Sequence, residues 1–319
     1  MGLNKLAGNQ IMEFNDKKIK AHNSIWDYIF LTRPILLVPV WAFFLMGYYR
    51  AGGERFSYGR IFLLTIIAYS ILLAILYIIN QLADLESDRI NHKHLLIADG
   101  YLSRRSAYHT IFVLTILLII FAIHLSLPMI ILMFISFVFG LLYSYKIKSI
   151  PIADFLINGI GYGFLNFSVG WLTQKPLDTQ TIFSSLPYIF GVSAIFVNTT
   201  ILDMEGDAKC NYKTTALLLG RINSARLALL FIVLCLIASL KVNDFICLIP
   251  ALISLPFFII AAVKGNERFV ILSIRISGPL LMLMVGIIFP YFIIIAIVIF
   301  IFLRIYYKLR FNIAYPGLT

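Results

Sequence analysis

The sequence predicts an all-α polytopic membrane bundle, with nine or ten transmembrane helices in two pseudo-repeated halves around a central cavity. Three observations predict it. The 319 residues are 61% hydrophobic and only 13% charged, with a mean hydropathy of +0.94, too apolar for a chain that must cover a core with polar surface. The apolar residues gather into stretches long enough to cross a hydrocarbon layer as helices. Two loops, four helices apart, carry the same acidic pattern. Such a chain is not a disordered segment, a disulfide scaffold or a water-soluble enzyme.

Residues 1–24 read as a polar cytoplasmic tail. They lack the apolar centre of a cleavable signal peptide, and Leu6 stands where a myristoylation signal needs Ser or Thr. A membrane domain is expected over 25–310, followed by a short tail at 311–319. Spans are predicted at 27–48, 60–80, 107–125 and 127–143, then at 152–172, 186–202, 223–240 and 245–263. The stretch 269–303 is too long for one helix and is interrupted by Gly278, Pro279 and Pro290. It reads as a pair turning near Pro290, with one long kinked helix as the alternative.

The formal net charge of +11 is topological and points to no nucleic-acid partner. With the N-terminus inside, only Arg50, Arg55, Arg60, Lys175 and Lys241 of the 26 basic residues fall on the outer side. That asymmetry marks the cytoplasmic loops of a multi-pass protein of the cell membrane, and an even number of crossings is favoured because Arg304, Lys308 and Arg310 then lie inside. Cys210, Cys235 and Cys247 are too widely spaced for a metal pair or a disulfide framework and read as structural.

The two polar loops read Asn80-Gln-Leu-Ala-Asp84-Leu-Glu86-Ser-Asp88 and Asp203-Met-Glu205-Gly-Asp207. An even number of helices lies between them, so both emerge on the same basic face. At i and i+4 of a helix, side chains stack about 5–6 Å apart. Asp84 therefore stacks with Asp88 and Asp203 with Asp207, with Asn80 one turn earlier. Glu86 and Glu205 lie about 200° around and point away. Four aspartates meeting in one place repel one another unless cations are bound, and an oxygen-only donor set suits Mg²⁺, typically held by one or two carboxylates and a substrate phosphate. Four carboxylates, two Mg²⁺ and a diphosphate of about −3 leave negative charge for basic side chains to meet. Lys146, Lys148, Arg89, Lys93, Lys209 and Lys213 share the face.

Asn-x-x-x-Asp-x-x-x-Asp after the second helix and Asp-x-x-x-Asp after the sixth resemble the signatures of the UbiA superfamily of intramembrane prenyltransferases. Arg33-Pro34, Tyr143-Ser144 followed by Lys146 and Lys148, and Lys213-Thr214-Thr215 resemble its lesser ones. The resemblance covers nearly the whole chain. It implies that Asp84, Asp88, Asp203 and Asp207 bind Mg²⁺ and, with Asn80 and Lys148, the diphosphate of a prenyl donor. Arg33, Tyr143, Lys146, Lys213, Arg89 and Asn158 are then expected to meet substrate. The implied mechanism is ionisation of the donor to an allylic cation, which a membrane lipid or aromatic acceptor attacks while burial excludes water. Some of the 27 Phe and 17 Tyr could supply cation-stabilising faces. The chain departs from the pattern in Gln81, where many members have Asp, and in Leu95-Leu96, where many aromatic-substrate members have Arg-Pro.

Two further features and three competing functions stand beside that reading. His92 and His94 could bind Zn²⁺, although a solvated loop is the simpler reading. Asp154, Asn158 and Asn166 fall within the fifth span, where polar groups are functional suspects or helix-to-helix hydrogen bonds. A secondary transporter would share the repeats but would place its acids at the bilayer midplane. A CDP-alcohol phosphotransferase would need an Asp-Gly-x-x-Ala-Arg element that is absent, while a UbiA-type terpene cyclase stays open.

Overall fold

The computed structural model describes residues 24–56, 58–90, 96–313 and 315. The His92, Lys93 and His94 segment, most of the N-terminal tail and the end of the C-terminal tail lie outside the described residues. Among the described residues the structure is helical with no strand. The elements are α1 (Ile25–Arg50), α2 (Arg60–Ala83), α3 (Leu85–Ile90), α4 (Arg104–Ala122) and α5 (Leu127–Tyr145). α6 joins Ala153–Asn158, Gly159–Leu165 and Asn166–Leu172 without a break. Then follow α7 (Thr179–Leu202), α8 (Met204–Lys209), α9 (Thr215–Lys241), α10 (Phe245–Lys264), α11 (Glu267–Ile288) and α12 (Pro290–Phe311).

Among the described residues nine helices are long and apolar enough to cross a membrane, and α6 adds a tenth rod whose middle is a π-helix. The 269–303 stretch is a pair, not one kinked helix. Pro290 has no N–H to continue the helix, and the chain turns at Phe289, whose ring lies beside Tyr48 and Tyr49 at one end of α1. α12 then runs back along α1. Trp26 stacks on Phe302, and the fully buried Asp27 accepts hydrogen bonds from Tyr306 and from Arg310, the latter with a 3.1 Å ion pair. The C-terminal helix end thus returns to the side where α1 begins.

Three differences from the sequence-based spans have local causes. α1 breaks over residues 32–36, because a residue before proline is pushed out of the α region; Arg33 sits at φ 52, ψ 59 ahead of Pro34. The amide of the buried Gln81 holds this break by donating to the Leu31 carbonyl at 2.9 Å, so the residue that departs from the family pattern serves the backbone. α7 begins at Thr179, seven residues before 186, because Asp178 caps it through the Thr181 N–H at 2.9 Å. α9 begins at Thr215, eight residues before the predicted 223, and carries a kink at Gly220, φ 75, three residues before that predicted start.

The tightest crossing joins α1 to α6. A Cβ placed on Gly47 would stand 1.8 Å from the Phe167 carbonyl oxygen, and one on Gly170 would stand 1.9 Å from that of Phe44. The two backbones therefore touch directly, as small residues allow inside membranes. α4 is instead exposed over most of its length, with Phe112, Val113, Ile119 and Ile120 outward, the surface expected against lipid. The three cysteines are free, Cys235 and Cys247 lying buried with sulfurs 3.5 Å apart.

Candidate active site

Both acidic motifs fold in the same way. α2 ends at Asp84 and α7 at Asp203, each near φ −90°, ψ 0°, and a short helix follows each break. The hydrogen-bond register survives the kink: Asp88 N–H donates to the Asp84 carbonyl at 2.8 Å, and Asp207 N–H to that of Asp203 at 2.9 Å. The i, i+4 backbone register within each motif thus survives the bend. α3 and α8 pack against each other, which brings the two halves together. Glu86 and Glu205 are exposed, as helical phase requires.

Asn80, Asp84 and Asp88 line the mouth of a cavity of about 350 Å³. The Asn80 amide donates to Asp84 at 3.0 Å, and Asp88 is 5% exposed. Lys148, on a 3-10 turn after α5, is ion-paired with Asp84. Its ammonium also lies 5.1 Å from the centre of the Tyr212 ring, next to the second motif. Burial pushes this lysine down to about 8, with the Asp207 carboxylate opposing the shift. Lys148 thereby joins a carboxylate of the first half to the neighbourhood of the second motif.

Inward from the mouth the walls are apolar and tyrosine-rich, with Arg33, Tyr143 and Asn158 in the lining. The Tyr77 hydroxyl reaches the Leu36 carbonyl at 3.2 Å and lies 3.4 Å from that of Tyr162. Neither tyrosine is singled out by the sequence, since both fall inside apolar helices. Asn158 lines the wall while its amide donates to the Asp154 carbonyl at 2.8 Å.

Three expected substrate contacts are not brought to the cavity wall. Lys146 and Lys213 are exposed, and Arg89 is exposed with its Nε donating to the Ala98 carbonyl at 2.9 Å. A loop position fixes the face of the membrane but not the direction of a side chain. Asp203 and Asp207, half-buried, stand beside the mouth and not in its wall.

Asp154 ties the two active loops together. Its buried carboxylate accepts from the Thr215 N–H at 2.7 Å and from the Thr215 hydroxyl, which itself accepts the Ile152 N–H at 2.7 Å. The turn holding Lys148 is thus pinned to the segment after Lys213, and Ile152 is held at φ 71, a costly conformation for a β-branched residue.

Among the described residues no group of three or more His, Cys, Asp or Glu is gathered tightly enough to hold a metal ion by itself. The donor set fits Mg²⁺ nonetheless: each half offers an oxygen-only carboxylate pair, the number that ion typically takes when substrate phosphate completes its shell.

The fold and this site define a polytopic membrane protein with a doubled aspartate motif over a buried apolar cavity. Residues 40–268 match the UbiA prenyltransferase family, and the chain belongs to it. A bacteriochlorophyll synthase 34 kDa chain of Chloroflexus aurantiacus is 28% identical over 213 residues, 63% of this chain and 68% of that protein. A UbiA homologue from Archaeoglobus fulgidus, solved with GPP and Mg²⁺, superposes with a TM-score of 0.63 at 16% identity over 82% of this chain and 99% of that one. A digeranylgeranylglyceryl phosphate synthase structure superposes with a TM-score of 0.65 at 20% identity over 82% and 97%. At these identities the structural likenesses establish the fold.

Proposed function

We propose that this protein transfers an isoprenyl group from a prenyl diphosphate to a membrane-associated acceptor, a quinone-precursor aromatic or a lipid precursor, and releases diphosphate. Its site faces the cytoplasmic side of the cell membrane. The observation that carries the reading is the pairing of equivalent aspartate breaks, one from each half: the first lines the mouth of an apolar cavity, the second packs against it through α8, and Lys148 is ion-paired with Asp84 beside Tyr212. The A. fulgidus homologue, solved with GPP or DMAPP and Mg²⁺, supports the donor class.

Asp84, Asp88, Asp203 and Asp207 would hold Mg²⁺. Bound there, the ion supplies Lewis-acid stabilisation of charge on the leaving diphosphate. Asn80 orients Asp84, and the ammonium of Lys148 neutralises charge on the diphosphate. Arg33 and Tyr143 frame the entry, while Asp154 keeps the two loops in register. The apolar wall excludes water from the cation formed when the carbon–oxygen bond breaks, and the rings of Tyr77 and Tyr162 offer it electron-rich faces.

Mass spectrometry of products formed by the purified protein tests this directly. With dimethylallyl, geranyl, farnesyl and geranylgeranyl diphosphate in turn, Mg²⁺ and a panel of aromatic, tetrapyrrole and glycerol-phosphate acceptors, one acceptor should gain the mass of an isoprenyl group less the hydrogen it replaces, and EDTA should abolish the gain. A new hydrocarbon formed without any acceptor would instead mark a cyclase.

A further inference from the structure

The π segment of α6 contains Gly159, Gly161 and Gly163. Two of them serve packing: a Cβ on Gly159 would meet the Ser193 hydroxyl at 2.2 Å, and one on Gly163 would meet the Ile189 nitrogen at 2.5 Å. Gly161 is different. A Cβ there would meet nothing within 4 Å, and the residue lines the cavity. Glycine weakens a helix interior, and a π segment is itself rare and found mostly at functional sites. Helix packing therefore does not account for this glycine.

The inner end of the same cavity is closed by polar groups. The Tyr69 hydroxyl donates to Asn166 Oδ1 at 2.7 Å and lies 3.3 Å from Ser136 Oγ, and the three residues are 2%, 3% and 5% exposed. A hydrocarbon advancing past this cluster would have to break its hydrogen bonds and leave amide and hydroxyl groups unpaired. From Asn80 to Tyr69 the α2 wall is about 16 Å deep at 1.5 Å per residue. An isoprene unit adds four chain carbons, about 5 Å at roughly 1.5 Å per bond.

We infer that Gly161 is the gauge of donor chain length: the isoprenoid tail passes over its bare backbone and stops at the Tyr69–Ser136–Asn166 floor. The cavity then holds about three isoprene units, with about 5 Å for each. Gly161 lies three residues inward of Asn158, so a side chain there obstructs the second unit and those beyond it. This inference rests on the donor site proposed above.

The test is isothermal titration of dimethylallyl, geranyl and farnesyl diphosphate, in Mg²⁺, into wild type, Gly161→Ala and Gly161→Val. The ratio of farnesyl to dimethylallyl affinity should fall about a hundredfold in Gly161→Val and about tenfold in Gly161→Ala, the scale of steric discrimination in apolar pockets. Alanine favours helix and meets no neighbour, so Gly161→Ala remains decisive if the valine variant fails to fold. An unchanged ratio in a folded variant overturns the gauge while leaving the donor site intact. Failure of wild type to bind all three donors overturns the donor site and the gauge with it.

Discussion

Asp84→Asn and Asp203→Asn are each expected to lower prenyl transfer by about three orders of magnitude while leaving the protein folded. Each substitution removes one carboxylate charge from a different half of the proposed site, and neither aspartate packs in the core: both cap a helix, Asp84 in the cavity lining and Asp203 outside it. Glu86→Gln and Glu205→Gln are expected to cost less than tenfold, within the range of surface electrostatics, because both glutamates are exposed. The comparison within each motif separates an oriented ligand set from a generally acidic surface. Initial rates at saturating Mg²⁺, with melting curves in detergent, provide the check, and equal losses in the glutamate variants would contradict the ligand assignment.

Gly170→Ala, like Gly47→Ala across the same crossing, is expected to be among the most damaging single methyl additions in the fold. Its Cβ would stand 1.9 Å from a backbone oxygen of α1 and 3.0 Å from the Tyr48 nitrogen, and neither atom can rotate aside. The crossing has to open along its length, which strips contact from the fully buried Phe44, Phe167 and Trp171. Overpacking ordinarily costs about 1–3 kcal/mol, and a backbone clash of this depth lies at or beyond the upper end. Gly278→Ala is the matched control, since nothing lies within 4 Å of its added carbon and alanine favours a helix by about 1 kcal/mol. The yield of monodisperse protein and its melting temperature should fall sharply for Gly170→Ala and hold for Gly278→Ala.

The spans and the acidic motifs were legible in the sequence because both rest on local signals. Hydropathy over some twenty residues marks a crossing, and i, i+4 spacing marks a helical face. The breaks were not legible. Arg33-Pro34 falls inside the single span predicted at 27–48, whereas the structure places the pair at an elbow within α1 held by Gln81 from another helix. The Gly-Ile-Gly-Tyr-Gly run of α6 carries the only local sign of its π segment, and two of its glycines acquire meaning only when α7 packs against them. Lys148 and Lys146 look alike in sequence, yet the 3-10 turn sends the first to Asp84 and leaves the second in solvent. Asp154 could be suspected as a polar residue in a span, but its partner Thr215 lies two helices away.

The central claim is that both aspartate motifs build one site on one face of the membrane. Labelling in sealed vesicles tests it most directly. Glu86→Cys and Glu205→Cys would be made singly in a Cys210→Ser background, leaving only the buried Cys235 and Cys247, and exposed to a membrane-impermeant maleimide. Both positions should react from the same side and be silent from the other. Reaction of the two positions from opposite sides would contradict a shared site.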